Sequence, residues 1–368
     1  MRWFGFGFNA FEQILPHDEL NKEGLSEVKI IRPVELTSQG DGRDCKIRAC
    51  WSRRTNLYFN SDSCVYVAGF GAVTESCGIV KESHGCKDVF VSESHLTLAF
   101  SDRLESWDLQ KVEKTPTWSM ELNKESSDSP LNLPLLPGGY IATKAPLYRS
   151  LSPHLKAKSV AVSAEHVMLL SATGAVYTWG LGSHGQLGHG VLTSEEKPRA
   201  VEALWGMPMV CVATGGWHSV CISDGGDLYV WGWNESGQLG LPSRSLRKTL
   251  PQQSSPKAGS SSTEETQEGD KHEEVFISIQ AFPALLDVSP SCEIMAVSCG
   301  SRHTAAVTTT GDLYTCGWGD YGQLGHPTLK STDEPQLVEF FKKQQMRVVD
   351  VVCGAWNTFV AVVEERVA

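Results

Sequence analysis

The strongest constraint on this chain is an internal repeat. Three segments align without gaps: Trp179-Gly-Leu-Gly-Ser-His-Gly-Gln-Leu-Gly188, Trp231-Gly-Trp-Asn-Glu-Ser-Gly-Gln-Leu-Gly240 and Cys316-Gly-Trp-Gly-Asp-Tyr-Gly-Gln-Leu-Gly325. A histidine stands thirteen residues before each leading Trp or Cys, at His166, His218 and His303. A proline stands twenty residues before each histidine, at Pro146, Pro198 and Pro283. Landmarks kept in phase over several copies mark a repeat architecture, in which one supersecondary unit is stacked to bury a shared core.

The period is 52 residues from Gln186 to Gln238 but 85 from Gln238 to Gln323, so one copy carries 33 extra. Residues 242–274 account for them. They are rich in Ser, Gln, Glu and Lys and nearly devoid of large apolar side chains. Such a stretch cannot offset its ordering entropy, so a disordered acidic, serine-rich surface loop is expected. Its end carries Glu264, Glu265, Glu268, Asp270, Glu273 and Glu274 against Lys271.

Weaker copies continue the phase. Cys353-Gly-Ala-Trp-Asn357 and Cys50-Trp-Ser-Arg-Arg54 parallel Cys299-Gly-Ser-Arg-His303, and His95 precedes an apolar stretch ending at Trp107. The last copy stops before its Trp-Gly strand. That strand stands at the other end of the chain: Phe6-Gly-Phe-Asn-Ala-Phe-Glu-Gln-Ile14 overlays Trp231-Gly-Trp-Asn-Glu-Ser-Gly-Gln-Leu239, with Gln13 on Gln238. The N-terminal strand is therefore expected to complete the last repeat, which closes a ring and removes an open sheet edge. Val210-Cys-Val-Ala, His218-Ser-Val-Cys-Ile-Ser and Asp227-Leu-Tyr-Val-Trp read as short strands, with Asp224-Gly-Gly and Thr310-Gly311 as hairpin turns. Short strands in radial repetition make a single, closed, all-β propeller over residues 1–368. Six landmark copies mean six recognisable blades. A seventh has room only in 109–139, which carries no landmark.

These motifs resemble the regulator-of-chromosome-condensation repeat family, whose Trp-Gly-x-Gly-x-x-Gly-Gln-Leu-Gly run and upstream Gly-x-x-His are near-complete around 179, 231 and 316. The family's propeller has seven blades. Further likeness lies in the Trp3-Phe-Gly-Phe-Gly-Phe start, Leu133-Pro-Leu-Leu-Pro137, Ala145-Pro-Leu-Tyr-Arg149 and Gly216-Trp-His-Ser-Val.

Chemistry can be read from the repeated positions. Gly182, Asn234 and Gly319 share one slot and are expected in a left-handed turn. Gln186, Gln238 and Gln323 are expected to tie a tight loop by side-chain-to-backbone bonds. His166, His218 and His303 recur once per blade, too far apart for one metal ion, and are read as scaffold imidazoles bonded to backbone within their own blades. Trp179 and Trp231 are read as blade anchors. No nucleophile elbow, zinc-protease helix, Walker loop or dinucleotide turn is present, so neither an enzyme nor a cofactor is expected. The net charge of −11 argues against a broad grip on DNA or anionic lipid. Eleven cysteines are scattered without a C-x-x-C pair and read as free thiols. No apolar run reaches membrane-spanning length.

Function in such a scaffold is expected on its loops. Residues 109–145 read as a proline-rich insertion, with the proline–leucine part over 126–152 (Pro130, Pro134, Pro137 and Pro146). Its apolar residues Leu131, Leu133, Leu135, Leu136 and Tyr140, together with Lys144, Pro146, Tyr148 and Arg149, form the candidate partner-docking element. The resemblance implies a nuclear, chromatin-associated role, as non-enzymatic accessory to a JmjC-domain, 2-oxoglutarate-dependent oxygenase or histone demethylase. That role lies in histone methylation and chromosome segregation, with histones as indirect partners and any iron held by the partner. Two alternatives stay open: guanine-nucleotide exchange on a small GTPase, and substrate adaptor of a ubiquitin ligase. A chain that opens on a closing strand, with no basic tail, weighs against direct DNA binding.

Overall fold

The computed structural model describes residues 1–23, 28–36, 46–48, 52–59, 64–69, 78–111, 115–122, 132–247, 275–289 and 292–364. Their strands form seven antiparallel sheets, six of four strands and one of three. Blade 1 holds Lys46–Ile47, Thr55–Phe59, Val65–Gly69 and Gly78–Ile79; blade 2 holds Asp88–Val91, His95–Ala99, Arg103–Asp108 and Trp118–Glu121. Blade 3 is the short one, with Leu135–Leu136, Gly139–Ile141 and Tyr148–Ser150. Blade 4 runs Ala157–Val162, His166–Ser171, Val176–Gly180 and Glu195–Ala200. Blade 5 runs Met209–Thr214, His218–Ser223, Leu228–Trp233 and Ile279–Leu286. Blade 6 runs Ile294–Cys299, His303–Thr308, Leu313–Gly317 and Thr332–Leu337.

Blade 7 joins the two ends of the chain. Met346–Cys353 and Asn357–Glu364 supply its first two strands, Arg2–Phe8 and Lys29–Glu35 the last two. Arg2 pairs with Val362 and Gly7 with Asn357, so the expected closure by the N-terminal strand is present. The repeats are phased alike: His166, His218, His303 and Asn357 pair with Gly180, Gly232, Gly317 and Gly7. In blade 1 the same register falls on Thr55 opposite Gly69, one residue beyond Arg54, which corrects that copy's landmark.

Second strands are buried on both faces because each blade packs between two others. The hydrophobic core is a ring of wedges between blades. Phe90 and Leu104 of blade 2 meet Leu136 and Ile141 of blade 3, and Tyr140 of blade 3 packs against Val160 and Leu169 of blade 4. Phe6, fully buried, joins Phe359 and Val360 in the wedge that closes the ring.

Four sequence expectations change. Blade 3 raises the count from six to seven, and it lies over 135–150 rather than within 109–139. The supposed insertion at 109–145 contains blade strands: Trp118–Glu121 is the fourth strand of blade 2, and Leu135–Leu136 and Gly139–Ile141 belong to blade 3. Residues 248–274 of the acidic loop, with Glu264 through Glu274, lie outside the described residues. Residues 242–247 are ordered: Arg244–Arg247 forms a helical turn, and Asp333 Oδ2 accepts the Ser243 N–H at 2.6 Å and Arg247 Nε–H at 3.1 Å. Finally, positive φ falls on the Trp-Gly glycine, not two residues later. Gly232 has φ 111°, and a Cβ there would sit 2.5 Å from the Trp217 carbonyl oxygen. Gly182 is needed for close approach instead, since its Cβ would overlap the Thr193 carbonyl. Asn234 uses its amide, Nδ2 donating to Leu241 O and Ile277 O at 2.8 and 2.9 Å.

Candidate functional site

The histidines form staples between blades. His218 Nε2 lies 2.9 Å from Thr304 Oγ1 in blade 6, and that hydroxyl donates to the Gln238 carbonyl, back in blade 5, at 2.6 Å. With its only proton committed to Gln238, Thr304 must accept from His218 Nε2–H, which sets the neutral tautomer. The same relay links His166, Ser219 and Gln186 O at 2.7 and 2.7 Å, and His303, Thr358 and Gln323 O at 2.9 and 2.7 Å. Burial pushes all three imidazoles down to about 3. The partner is thus a hydroxyl of the next blade, not backbone of the same blade as the repeat pattern alone suggests. The side chains of Gln13, Gln186, Gln238 and Gln323 each accept the backbone N–H two residues upstream, at 2.8 to 3.0 Å. Trp231 Nε1 donates to Gln186 O, whereas Trp179, next to blade 3, donates to Tyr140 Oη at 3.1 Å.

Two surfaces among the described residues are candidates for recognition. The first is blade 3. Leu136 and Tyr140 are buried core rather than exposed docking residues, and Leu133, Leu135 and Tyr148 are half-buried in the neighbouring wedges. Leu131 lies outside the described residues. Lys144, Pro146 and Arg149 are exposed, with Lys144 Nζ 3.5 Å from Glu165. The described sheet of blade 3 has three strands, and Tyr148–Ser150 ends it as an outer edge, as the last strand of each other blade does. Ala142 N–H bonds Leu147 O, and Leu151 N–H bonds Gly138 O. By the antiparallel alternation Arg149 turns its backbone groups inward to Tyr140, while those of Tyr148 and Ser150 point outward. That edge offers pairing to an incoming strand.

The second surface was missed in sequence. Each repeat has a slot just before the histidine position, holding Trp217, Arg302 and Trp356. It has another just after the Trp-Gly glycine, holding Trp233, Trp318 and Phe8. The β-register brings both slots of a blade together at one end, beside those of the next blade. The result is a continuous ladder. Trp217 packs edge-on to Trp233 at 5.5 Å, Arg302 lies 5.0 Å from the Trp233 ring and 5.7 Å from the Trp318 ring, and Trp356 meets Phe8 at 5.3 Å. Tyr321 bridges Trp318 and Trp356 at 5.2 and 5.6 Å, and His184 of blade 4 caps Trp233 at 5.7 Å. Arg53 lies over Trp356 and Lys29 over Tyr321, at 5.4 and 5.3 Å.

Among the described residues no three His, Cys, Asp or Glu are grouped to hold a metal ion. Cys221, Cys299, Cys316 and Cys353 are buried free thiols, with Cys316 and Cys353 pushed up to about 12 by burial. Among the described residues no helix is long and apolar enough to cross a membrane.

Seven radial sheets, a ring closed by the N-terminal strand and a hydroxyl–imidazole staple between successive blades define a closed β-propeller of the kind built from regulator-of-chromosome-condensation repeats. The chain belongs to that family: the regulator of chromosome condensation (RCC1) repeat matches residues 173–222, 225–307 and 310–361. It is 40% identical over 389 residues to RCC1 domain-containing protein 1 of Mus musculus, covering 98% of this chain and 97% of the relative. The likeness to RCC1 domain-containing protein 1 of Homo sapiens is also 40%, over 390 residues, 99% of this chain and 97% of that protein. Among solved structures, Prp20p of Saccharomyces cerevisiae, described with its binding to Gsp1p and histones, superposes with a TM-score of 0.68 at 16% identity, over 99% of this chain and 91% of that one.

Proposed function

We propose that this chain is a non-enzymatic nuclear scaffold that uses the open edge of blade 3 to capture a JmjC-domain oxygenase or histone demethylase at chromatin. The observation that carries this reading is the edge strand Tyr148–Ser150, with outward backbone groups at Tyr148 and Ser150 and exposed Lys144, Pro146 and Arg149 beside it. An edge supplies affinity through main-chain hydrogen bonds, and the flanking cations supply selectivity. The near full-length likeness to RCC1 domain-containing protein 1 supports a propeller scaffold, and the choice of partner is what the repeat resemblance implies. Iron and 2-oxoglutarate then belong to the partner, and histones are reached through it.

Ser150→Pro tests the idea. Proline removes an outward N–H without touching the internal ladder. Capture of a purified JmjC-domain protein should be lost, with melting unchanged within about 2 °C, under the ~1 kcal/mol expected of an edge substitution. Arg149→Ala should weaken capture without abolishing it. Unimpaired capture by Ser150→Pro would overturn the proposal, and rapid release of guanine nucleotide from a nuclear small GTPase would replace it with exchange activity.

A further inference from the structure

We propose that the aromatic ladder on blades 5 to 7 is a docking surface for an extended acidic peptide segment of a partner protein, separate from the blade 3 edge. Its cations are the reason. Arg302 lies between the indoles of Trp233 and Trp318, Arg53 over Trp356, and Lys29 over Tyr321. None of the three makes an ion pair with a described carboxylate. Other arginines of the same acidic chain do so at short range: Arg2 with Glu35 at 2.6 Å, Arg103 with Glu105 at 2.6 Å, Arg199 with Glu195 at 2.7 Å and Arg247 with Asp333 at 3.1 Å. An arginine held against ring faces keeps its charge and leaves its in-plane N–H donors at the rim. Those donors match a carboxylate, which can be gripped by two parallel bonds.

The geometry favours an extended ligand over a single anion. Arg302 stands in a slot, Lys29 opens the last strand of blade 7 and Arg53 precedes the second strand of blade 1, and the contacts run from Arg302 through Trp318, Tyr321 with Lys29, and Trp356 to Arg53, with indole and phenol surface between the cations. Trp217, Trp233, Trp318, Tyr321 and Trp356 are all half-exposed. Indoles in fixed contact lose little entropy on binding and bury much apolar area. A segment alternating acidic and apolar residues places carboxylates at Arg302, Arg53 and Lys29 while its apolar side chains cover the rings.

The test uses the full chain and a fluorescein-labelled twelve-residue peptide alternating Glu and Leu, read by anisotropy and by quenching of tryptophan emission. The Glu–Leu peptide should bind, the Gln–Leu peptide should bind roughly tenfold more weakly, and rising salt should weaken the first but not the second. Arg302→Gln should weaken Glu–Leu binding about tenfold, and Arg302→Lys by less, because the charge stays but the fork is lost. Trp233→Ala with Trp318→Ala should remove binding. Each variant is compared at unchanged melting temperature, and Arg53→Gln gives an independent reading should Arg302 variants melt early. No binding of the Glu–Leu peptide, equal binding of the Gln–Leu peptide, or indifference to both arginine variants overturns the proposal. So does a dimer in sedimentation velocity that Arg302→Gln dissolves, since the occupant would then be a second copy of this chain.

Discussion

Replacing Thr304 by Val would isolate one inter-blade staple. Valine has the shape of threonine, so packing is kept and only the hydroxyl is lost. Two buried groups lose the hydroxyl: His218 Nε2–H, 2.9 Å from it, and the Gln238 carbonyl, 2.6 Å from it, which keeps only the weak Cys316 Sγ–H donor at 3.8 Å. A buried polar group left unsatisfied costs about 1–3 kcal/mol, so the pair should cost ~3 kcal/mol in total. With an unfolding entropy of about 2.1 cal/mol/K per residue, a chain of this length loses ~0.8 kcal/mol per kelvin near its midpoint, so Thr304→Val should melt ~4 °C early. Thr304→Ser is the control. It keeps the hydroxyl, as Ser219 does in the staple of His166, and loses one methyl worth ~0.8 kcal/mol, or ~1 °C. Differential scanning calorimetry of both variants settles the matter. If valine and serine melt within about 1 °C of one another, the relay contributes nothing and the histidines are merely buried.

The three staple histidines also predict a pH response. Their folded values of about 3 lie below the unfolded 6.5, so the unfolded chain takes up protons first; the stability they contribute is complete above pH 6.5 and is lost as pH falls toward 3. Each should cost about 2 kcal/mol at pH 5, and His303→Asn, which reproduces the natural Asn357 of blade 7, should remove one share of that loss in urea titrations at about pH 7.5 and 5. Gly232→Ala should destabilise by roughly 2–4 kcal/mol or prevent folding, since φ 111° disfavours any Cβ and this one would meet the Trp217 carbonyl oxygen at 2.5 Å; a melting curve like wild type would refute it. Phe6→Ala, in the closing strand, should cost about 3–5 kcal/mol and sharply raise proteolysis of both chain ends; a loss below about 1 kcal/mol would mean the ring does not depend on that strand.

How much of this was legible in sequence follows from what each position does. Staple residues recur because every blade interface solves the same problem, so His166, His218, His303 and their glutamines revealed the propeller. Gln13 likewise stands where the other glutamines stand: its carbonyl takes the Asn56 amide at 3.1 Å, as Gln238 takes Thr304. Blade 3 was illegible because it solves the interface differently. It has no histidine, glutamine or Trp-Gly in phase, and Tyr140 Oη replaces the glutamine carbonyl under Trp179. Its Leu136 and Tyr140 read as an exposed proline–leucine insertion because periodicity alone cannot separate a two- or three-residue strand from a loop. The aromatic ladder was invisible for the opposite reason. Its slots hold Trp217, Arg302 and Trp356 at one site and Trp233, Trp318 and Phe8 at the other, and no motif links such different residues until the register places them side by side.

Structural and recognition residues are therefore one step apart in the chain. His218 is fully buried and joins blades, while Trp217 just before it is half-exposed; His303 and Arg302 repeat the arrangement. Adjacent residues at a strand entrance face opposite environments, one toward the wedge and one toward the rim. The rim residue adds little to the staple, so it is free to differ from blade to blade without weakening the ring. A propeller built this way obtains a rigid frame from its repeated positions and a non-repeating surface from the neighbours of those positions. Successive blades then display a surface that no single repeat specifies, because the positions that hold the ring together leave their neighbours free to vary.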